Sequence, residues 1–508
     1  MATYKDLTAA FRHNLQAPMT DKTDDRGRCV VIGAGPAGLT AAFELSNQGI
    51  DTVVLEQDNV VGGIARTVEH KGYRFDIGGH RFFSKVPLIN AWWTNILGAD
   101  FQPRARLSRI YYNGKFFDYP LRPMNALRGL GPLQALLIVT SYLKARIFPT
   151  AEEKSFEEWV CNRFGRRLFE IFFETYTQKV WGMRCSEIGA DWASQRIKNL
   201  SLASALKDMF GRRKEHVTTL IRQFHYPRLG PGMMWDRVAE ILNQRGVPVR
   251  LGIKVDKFNV SGSTISSVNT VDAEGERREI PGDHFISSMP IKELIAALTP
   301  APPQYVREAA SRLRYRDFLT VGLIVDKANL FQDNWVYIHS PNVKVGRIQN
   351  FKNWSPDMVA NPSHTSLGLE YFVQEGDELW NADDESLIEL ATRECAALGF
   401  IDKCDVIDGL VIRMPKAYPV YDRDFKESLA VIRDHLSRIT NLQLIGRNGQ
   451  HRYNNQDHSM LTAIYAASNV LGADIDVWNV NVDENYHETA GNAQRSGDRL
   501  VPQAKPIT

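Results

Sequence analysis

The residues of this chain whose types and spacing most plainly imply chemistry are Gly33, Gly35 and Gly38, followed by the acid Glu56 and the pair Gly62-Gly63. Gly33 permits a tight turn, Gly35 lets backbone approach a pyrophosphate, and Gly38 lets a following helix pack closely on a strand; Ala37 belongs to the same loop. Glu56 follows at the spacing of an acid that accepts hydrogen bonds from ribose hydroxyls, which suits an adenosine without a 2′-phosphate. A lone glycine motif of this kind is weak, since any glycine-rich turn can match it. The flanking strands, the spaced acid and the added glycine pair favour FAD over NAD.

A second loop, Arg74-Phe75-Asp76-Ile77-Gly78-Gly79-His80-Arg81, would let backbone lie against a flat ring, with tight turns as the alternative. Arginine's fork matches phosphate in two contacts, tyrosine adds a neutral donor, and an aromatic face covers a base or sugar. Lys179, Lys416 and Asp422 could serve as acid–base groups, although solvated surface positions are the commoner fate of such residues. His225 and Arg228 could reach a site or cap a loop. No Ser–His–Asp spacing, zinc motif or P-loop is present, and no metal is expected.

The elements that must position these groups alternate along the chain. Cys29 to Ile32 reads as a buried strand, Leu39–Gln48 as the helix whose N-terminus faces the phosphates, and Thr52 to Leu55 as the second strand. Residues 28–85, 226–298 and 440–475 are expected to form a Rossmann-type FAD-binding domain of α/β class, with Val255 on a returning strand Val249–Val255. Residues 86–225 read as a mainly helical insert with a hairpin at Asn113-Gly114. Residues 299–439 contain alternating runs that suggest an antiparallel substrate-binding sheet. The stretches 1–27 and 488–508 read as flexible tails.

At 508 residues the chain is long enough for more than one domain, and 61 Lys and Arg against 59 Asp and Glu give no general bias toward nucleic acid. Five cysteines without paired spacing fit a reducing cytoplasm, each best read as a small buried apolar residue. The first 27 residues lack a signal-peptide core. The most apolar run, Ala135 to Leu143, falls short of the roughly 20 residues that span a bilayer. With Leu133, Lys144 and Arg146 around it, the run could lie weakly on a membrane surface; a buried domain helix is the commoner outcome. Homo-oligomerisation stays open.

Here the chain resembles the flavoprotein group that contains amine oxidases and protoporphyrinogen oxidase, and within it most closely the UDP-galactopyranose mutases. Gly78-Gly79-His80-Arg81-Phe82-Phe83 is similar to the mutases' Gly-Pro-His loop, and Tyr176 to Gly182 to their Tyr-Thr-Glu-Lys-Gln-Trp. Gly346-Arg347-Ile348 is similar to an Arg-Ile strand, and Gly446-Arg447-Asn448-Gly449 through Arg452-Tyr453 to a Gly-Arg-Leu-Gly…Arg-Tyr ending. Oxidases of the group usually end in Gly-Asp at that point.

The resemblance implies non-covalent FAD and a pyranose–furanose type rearrangement of a nucleotide sugar, active in the reduced form through an N5 adduct. It implies that His80 orients the flavin, Arg347 clamps a substrate diphosphate, Tyr453 binds substrate phosphate and Arg447 neutralises the FAD diphosphate. It places Trp181, Tyr176 and Tyr418 around the substrate, keeps Arg196 as the first arginine of an Arg-Ile run, and sets Asn455 where mutases carry an aspartate. The second arginine of that run has no match, so a different nucleotide sugar or another diphosphate-bearing substrate fits better than UDP-galactose. A net oxidase or dehydrogenase chemistry is the alternative.

Overall fold

A computed structural model describes residues 27–190 and 223–480, apart from 120, 122 and 423. Its centre is a parallel five-stranded sheet in the order Leu442–Leu444, His284–Ser287, Arg28–Ile32, Asp51–Leu55, Val249–Arg250. The opening strand lies in the middle, with Val30 opposite both Val53 and Phe285. It reads as an unbroken apolar run because both of its faces are covered. Cys29 and Val31 meet the core around Phe43 and Trp235, whereas Val30 and Ile32 meet a second core around Phe258 and Ile432.

The first helix is Pro36–Asn47, starting three residues earlier than the pattern suggests, because proline's missing N–H is harmless in a first turn. The expected strand Val249–Val255 divides instead into Val249–Arg250, at the edge of the parallel sheet, and Lys254–Ser261, in a separate sheet with Thr264–Val271. The break comes at Gly252, whose φ of +69° extended backbone does not adopt.

A seven-stranded sheet in the order Val406–Pro419, Tyr315–Val325, Thr365–Val373, Arg347–Asn350, Trp335–Ile338, Ser108–Tyr112, Lys115–Asp118 forms the second layer. The last two strands come from the insert, which also supplies the strand Phe101–Ala105, paired antiparallel with Gln223–Pro227. The last two turn at Asn113 and Gly114, both at positive φ as a two-residue hairpin requires, and Ser108–Tyr112 pairs parallel with Trp335–Ile338. Period-2 alternation gives this sheet two different faces. Leu319, Val321, Leu323, Val336, Ile348, Leu367 and Leu369 point to one side and pack with Leu387, Ala391 and Cys395 of the helix Asp384–Ala397. Thr320, Arg347, Gln349 and Glu370 take the other side, and this polar face carries the site.

Within the insert, the segment from Phe156 to Trp181 packs around Phe156, Trp159, Phe169 and Phe172 against the inner face of the helix Pro132–Ile147. That helix contains the apolar run from Ala135 to Leu143, and its placement corrects the expectation of a buried helix: Ile138 and Tyr142 are buried, but Leu133, Leu136, Leu137 and Leu143 are exposed. Cysteine burial likewise fails at two positions, since Cys161 is only half-buried and Cys404 is exposed on the 3₁₀ turn Lys403–Asp405.

Candidate functional site

The glycine cradle is sterically closed to side chains at Gly33 and Gly38. A Cβ on Gly38 would stand 1.8 Å from the carbonyl oxygen of Gly33, and one on Gly33, at φ +97°, would stand 2.2 Å from Ser288 Oγ. Gly35 and Gly63 face each other, a Cβ on Gly63 lying 3.4 Å from Gly35 Cα. Gly62 donates its N–H to the carbonyl of Ala34 at 2.8 Å, which ties the glycine pair to the first loop. Backbone alone therefore lines this turn at the start of a helix, the surface a dinucleotide diphosphate needs. Buried Glu56 accepts from the amide of Ala34 at 2.6 Å and from that of Asp58 at 2.9 Å. Burial raises its pKa, and the two amide bonds work against that shift. Arg66, which sequence reasoning missed, closes the loop with an ion pair to Asp58 at 2.6 Å. The residues present fit FAD.

Over the polar sheet face lies the loop Gly78-Gly79-His80. A Cβ on Gly79 would come 3.0 Å from Gln349 Nε2, so the loop rests directly on the strand. Arg347 Nε pairs with the fully buried carboxylate of Glu370, which also accepts from Gln349 Nε2 at 2.7 Å. Burial works against the charge of Arg347, yet Glu370 outweighs it and holds the guanidinium well above its usual pKa. Among the described residues, the Nη atoms of Arg347 make no hydrogen bond, and the group lies 5.4 Å from the ring of Phe372. His80 donates from Nε2 to the carbonyl of Ile77 at 2.7 Å. Burial first, then nearby Arg447 and Arg347, push its imidazole down to about 4 against that hydrogen bond. His80 is therefore neutral at physiological pH.

The final turn brings in the second arginine. Gly446, at φ +75°, abuts Ala37 at the start of the first helix, and its N–H donates to Thr462 Oγ1 at 3.0 Å. Arg447 then donates to the carbonyls of Asn454 and Ala417, each at 3.0 Å. Its guanidinium lies 4.6 Å from the ring of Tyr453 and 5.4 Å from that of Tyr418, and those two rings stack at 5.5 Å. Desolvation pushes Tyr418 up to about 12, so its hydroxyl stays protonated. Tyr176 stacks on His339 at 4.9 Å and meets Tyr337 edge-on; burial also raises its pKa, against the pull of Arg347. His80, Arg347, Tyr176, Tyr418, Arg447 and Tyr453 thus form one neighbourhood.

The other expected residues among those described have partners of their own. Trp181 ends the helix Thr175–Trp181 in the insert core and lines a crevice with Val420 and Tyr421. Tyr421 in turn accepts from the Tyr453 amide at 2.6 Å. Val255 is buried beside Phe258, two residues after Ile253, whose amide bonds the carbonyl of Glu56. Asn455 is exposed at the start of the helix Gln456–Val470. Arg196 lies outside the described residues. Lys179 donates to the carbonyls of Ile338, Ser340 and Val345, and burial lowers it to about 8. Lys416 pairs with Glu293, Asp422 with Arg314, and Arg228 with Asp100. His225 stacks on Phe101.

Glu370 and Gln349 were also missed, as were Arg81 and Arg106, which sit 5.5 Å and 5.7 Å from the ring of Trp335. For Glu370 and Gln349 the signal was the strand register: Tyr337 pairs with Arg347, Trp335 with Gln349, and Arg347 with Glu370, which sets these on one face.

A parallel sheet opened by a glycine cradle, beside a largely antiparallel sheet with a cationic, tyrosine-rich face, defines a dinucleotide-dependent enzyme. Residues 36–413 match the family of flavin containing amine oxidoreductases, and the chain belongs to that family. It is similar to a probable UDP-galactopyranose mutase of Klebsiella pneumoniae, 26% identical over 171 residues, or 32% of this chain and 42% of that one. It is also similar to a neurosporene-forming phytoene desaturase of Cereibacter sphaeroides, 24% identical over 51% of this chain and 52% of that one. The chain thus spans about half the length of these curated relatives. Among solved structures it resembles a reduced UDP-galactopyranose mutase, with a TM-score of 0.75 at 23% identity over 89% of this chain and 97% of that one. A putative protoporphyrinogen oxidase from Exiguobacterium gives a TM-score of 0.67 at 16% identity over 89% and 100%. At these identities the structural likeness speaks for the fold.

Proposed function

We propose that this flavoenzyme is a mutase-type enzyme that binds FAD non-covalently and rearranges a nucleotide sugar or a similar diphosphate-bearing substrate. The observation that carries the proposal is the pairing of two arginines, Arg347 and Arg447, with the tyrosines 176, 418 and 453 beside His80. Arg447 is held by carbonyls alone among the described residues, so a bound anion is what would balance its charge. Arg347 is fixed through Nε by Glu370 and keeps its outer nitrogens for a ligand. This is how one arginine can be both buried and available to a diphosphate.

Reduced FAD would supply a nucleophilic N5 toward the anomeric carbon of the sugar. The chain's own contribution is to hold and release the nucleoside diphosphate. Arg347 and Tyr453 meet its growing negative charge with donors that need no reorganisation. Neutral Tyr418 and Tyr176 add hydroxyl donors, and neutral His80 positions the ring without placing a further cation beside it. Phe318 and Phe372 keep water from the face around Tyr418. Backbone at Gly33, Gly35, Gly38, Gly62 and Gly63, with Glu56, would hold the cofactor's diphosphate and ribose.

Net hydride removal is the second reading, and the buried aromatic wall of Phe318, Phe372 and Tyr418 favours it for an apolar substrate. The two part on one assay: a mutase interconverts isomers under anaerobic reduction with no acceptor, whereas an oxidase or dehydrogenase consumes an acceptor in proportion to product.

A further inference from the structure

Independently of the site, the helix Pro132–Ile147 has two apolar faces and only one partner. Its inner face buries Ile138 and Tyr142 against the insert core. Leu133, Leu136, Leu137, Leu143 and Ile147 recur at helical spacing on the opposite face, exposed by 69%, 60%, 43%, 51% and 68%, and Phe148 extends the stripe at 76%. Singly exposed leucines are ordinary, but a stripe of large side chains along four turns, interrupted only by the small Thr140, marks a surface that is covered in use. The charges along its own stretch of chain have one sign. From Tyr119 to Ala151 the chain carries Arg122, Arg128, Lys144 and Arg146 and neither Asp nor Glu. Lys144 and Arg146 stand exposed in the last turns, where cations also complement the helix dipole. The next carboxylates, Glu152 and Glu153, are each paired, with Lys154 and Arg163.

We infer that this helix is a monotopic anchor that lies in the surface of an anionic lipid bilayer, its leucines among the acyl chains and its cations among the headgroups. Among the described residues no helix is long and apolar enough to cross a membrane, so the contact is one of lying on the surface. An apolar stripe whose own segment carries cations and no acid, and beside which the carboxylate of Glu170 is paired with Arg166 and Arg167, fits such a surface by both hydrophobic and charge complementarity, and several cations near the bilayer add to the binding of one apolar face. A second copy of the same surface would instead set like charges against each other, which disfavours self-association through it.

The test is flotation of the FAD-loaded full chain with vesicles of phosphatidylcholine alone and of phosphatidylcholine with phosphatidylglycerol. Floating with the anionic vesicles, less with the neutral ones, and release by high salt are expected. The variant Leu133→Ser/Leu136→Ser/Leu143→Ser/Ile147→Ser should lower the bound fraction by about tenfold or more, because each leucine or isoleucine contributes several buried methylene equivalents. Since serines could disturb the helix, Lys144→Glu/Arg146→Glu provides a second variant on exposed positions. It should lose the preference for anionic lipid while its flavin spectrum and melting curve stay those of the parent. Failure to float with either vesicle overturns the inference. So does a lipid-free dimer, seen by sedimentation, that the serine variant dissociates, since it would make the stripe a contact between copies.

Discussion

Arg347 shares buried Glu370 with Gln349, and that fixed geometry is what a lysine could not reproduce. Arg347→Lys should weaken binding of UDP to the FAD-loaded protein by about tenfold or more, the scale of a lost charge-assisted hydrogen bond. Calorimetry with unchanged flavin content would read it. Asp76 makes a different prediction. Burial raises this carboxyl to about 7 from 3.8, although Tyr226 and the Thr67 hydroxyl both donate to it. Between those values the folded chain holds a proton that the unfolded chain has lost, so this group makes stability fall as pH rises from about 4 to 7. Asp76→Asn should flatten that decline in chemical-denaturation midpoints. His80 acts in the opposite sense: its folded value of about 4 lies below 6.5, so its contribution is intact above about 6.5 and is lost as pH falls toward 4.

The elements show which physical signals a linear chain carries. The cradle was legible because its requirements are local: one strand, a turn that excludes Cβ atoms and a helix start lie within Arg28–Asn47. Gly38→Ala tests it, since a methyl 1.8 Å from the Gly33 oxygen must move the helix. The variant should be purified without FAD and melt lower, whereas Gly189→Ala, with open space at its Cβ, should not change flavin content.

The polar sheet face was only partly legible. Arg347 and the final Gly446-Arg447 turn sit in recognisable local strings, but Glu370, Gln349, Arg81 and Arg106 become neighbours only through strand pairing and loop placement across the chain. Trp181 shows why a motif tryptophan is hard to read from sequence, because it packs in the insert core and at the same time lines a crevice with Tyr421. Lys179 looked like an acid–base candidate and instead ties its helix to three carbonyls of the sheet region. Lys179→Met should therefore lower stability by about 2–3 kcal/mol through unsatisfied buried carbonyls, measured by denaturant unfolding.

At the scale of the whole molecule, the parallel sheet gathers segments from both ends and the middle of the chain, so the cofactor cradle, the polar sheet face and the final Arg447 turn meet only in the complete fold. That convergence brings two arginines and three tyrosines together near the Gly446 turn, which abuts Ala37 of the glycine loop, and the proposed chemistry stands on it. The most direct measurement is an anaerobic incubation of the dithionite-reduced, FAD-loaded protein with UDP- and dTDP-linked hexoses, with chromatography for new sugar isomers and continuous recording of the flavin spectrum. The account predicts pyranose–furanose interconversion of at least one nucleotide sugar, with flavin still reduced at the end and no acceptor consumed. Absence of any isomer, together with substrate-driven bleaching of the oxidised flavin and stoichiometric use of an acceptor, would contradict it and assign the site to net oxidation.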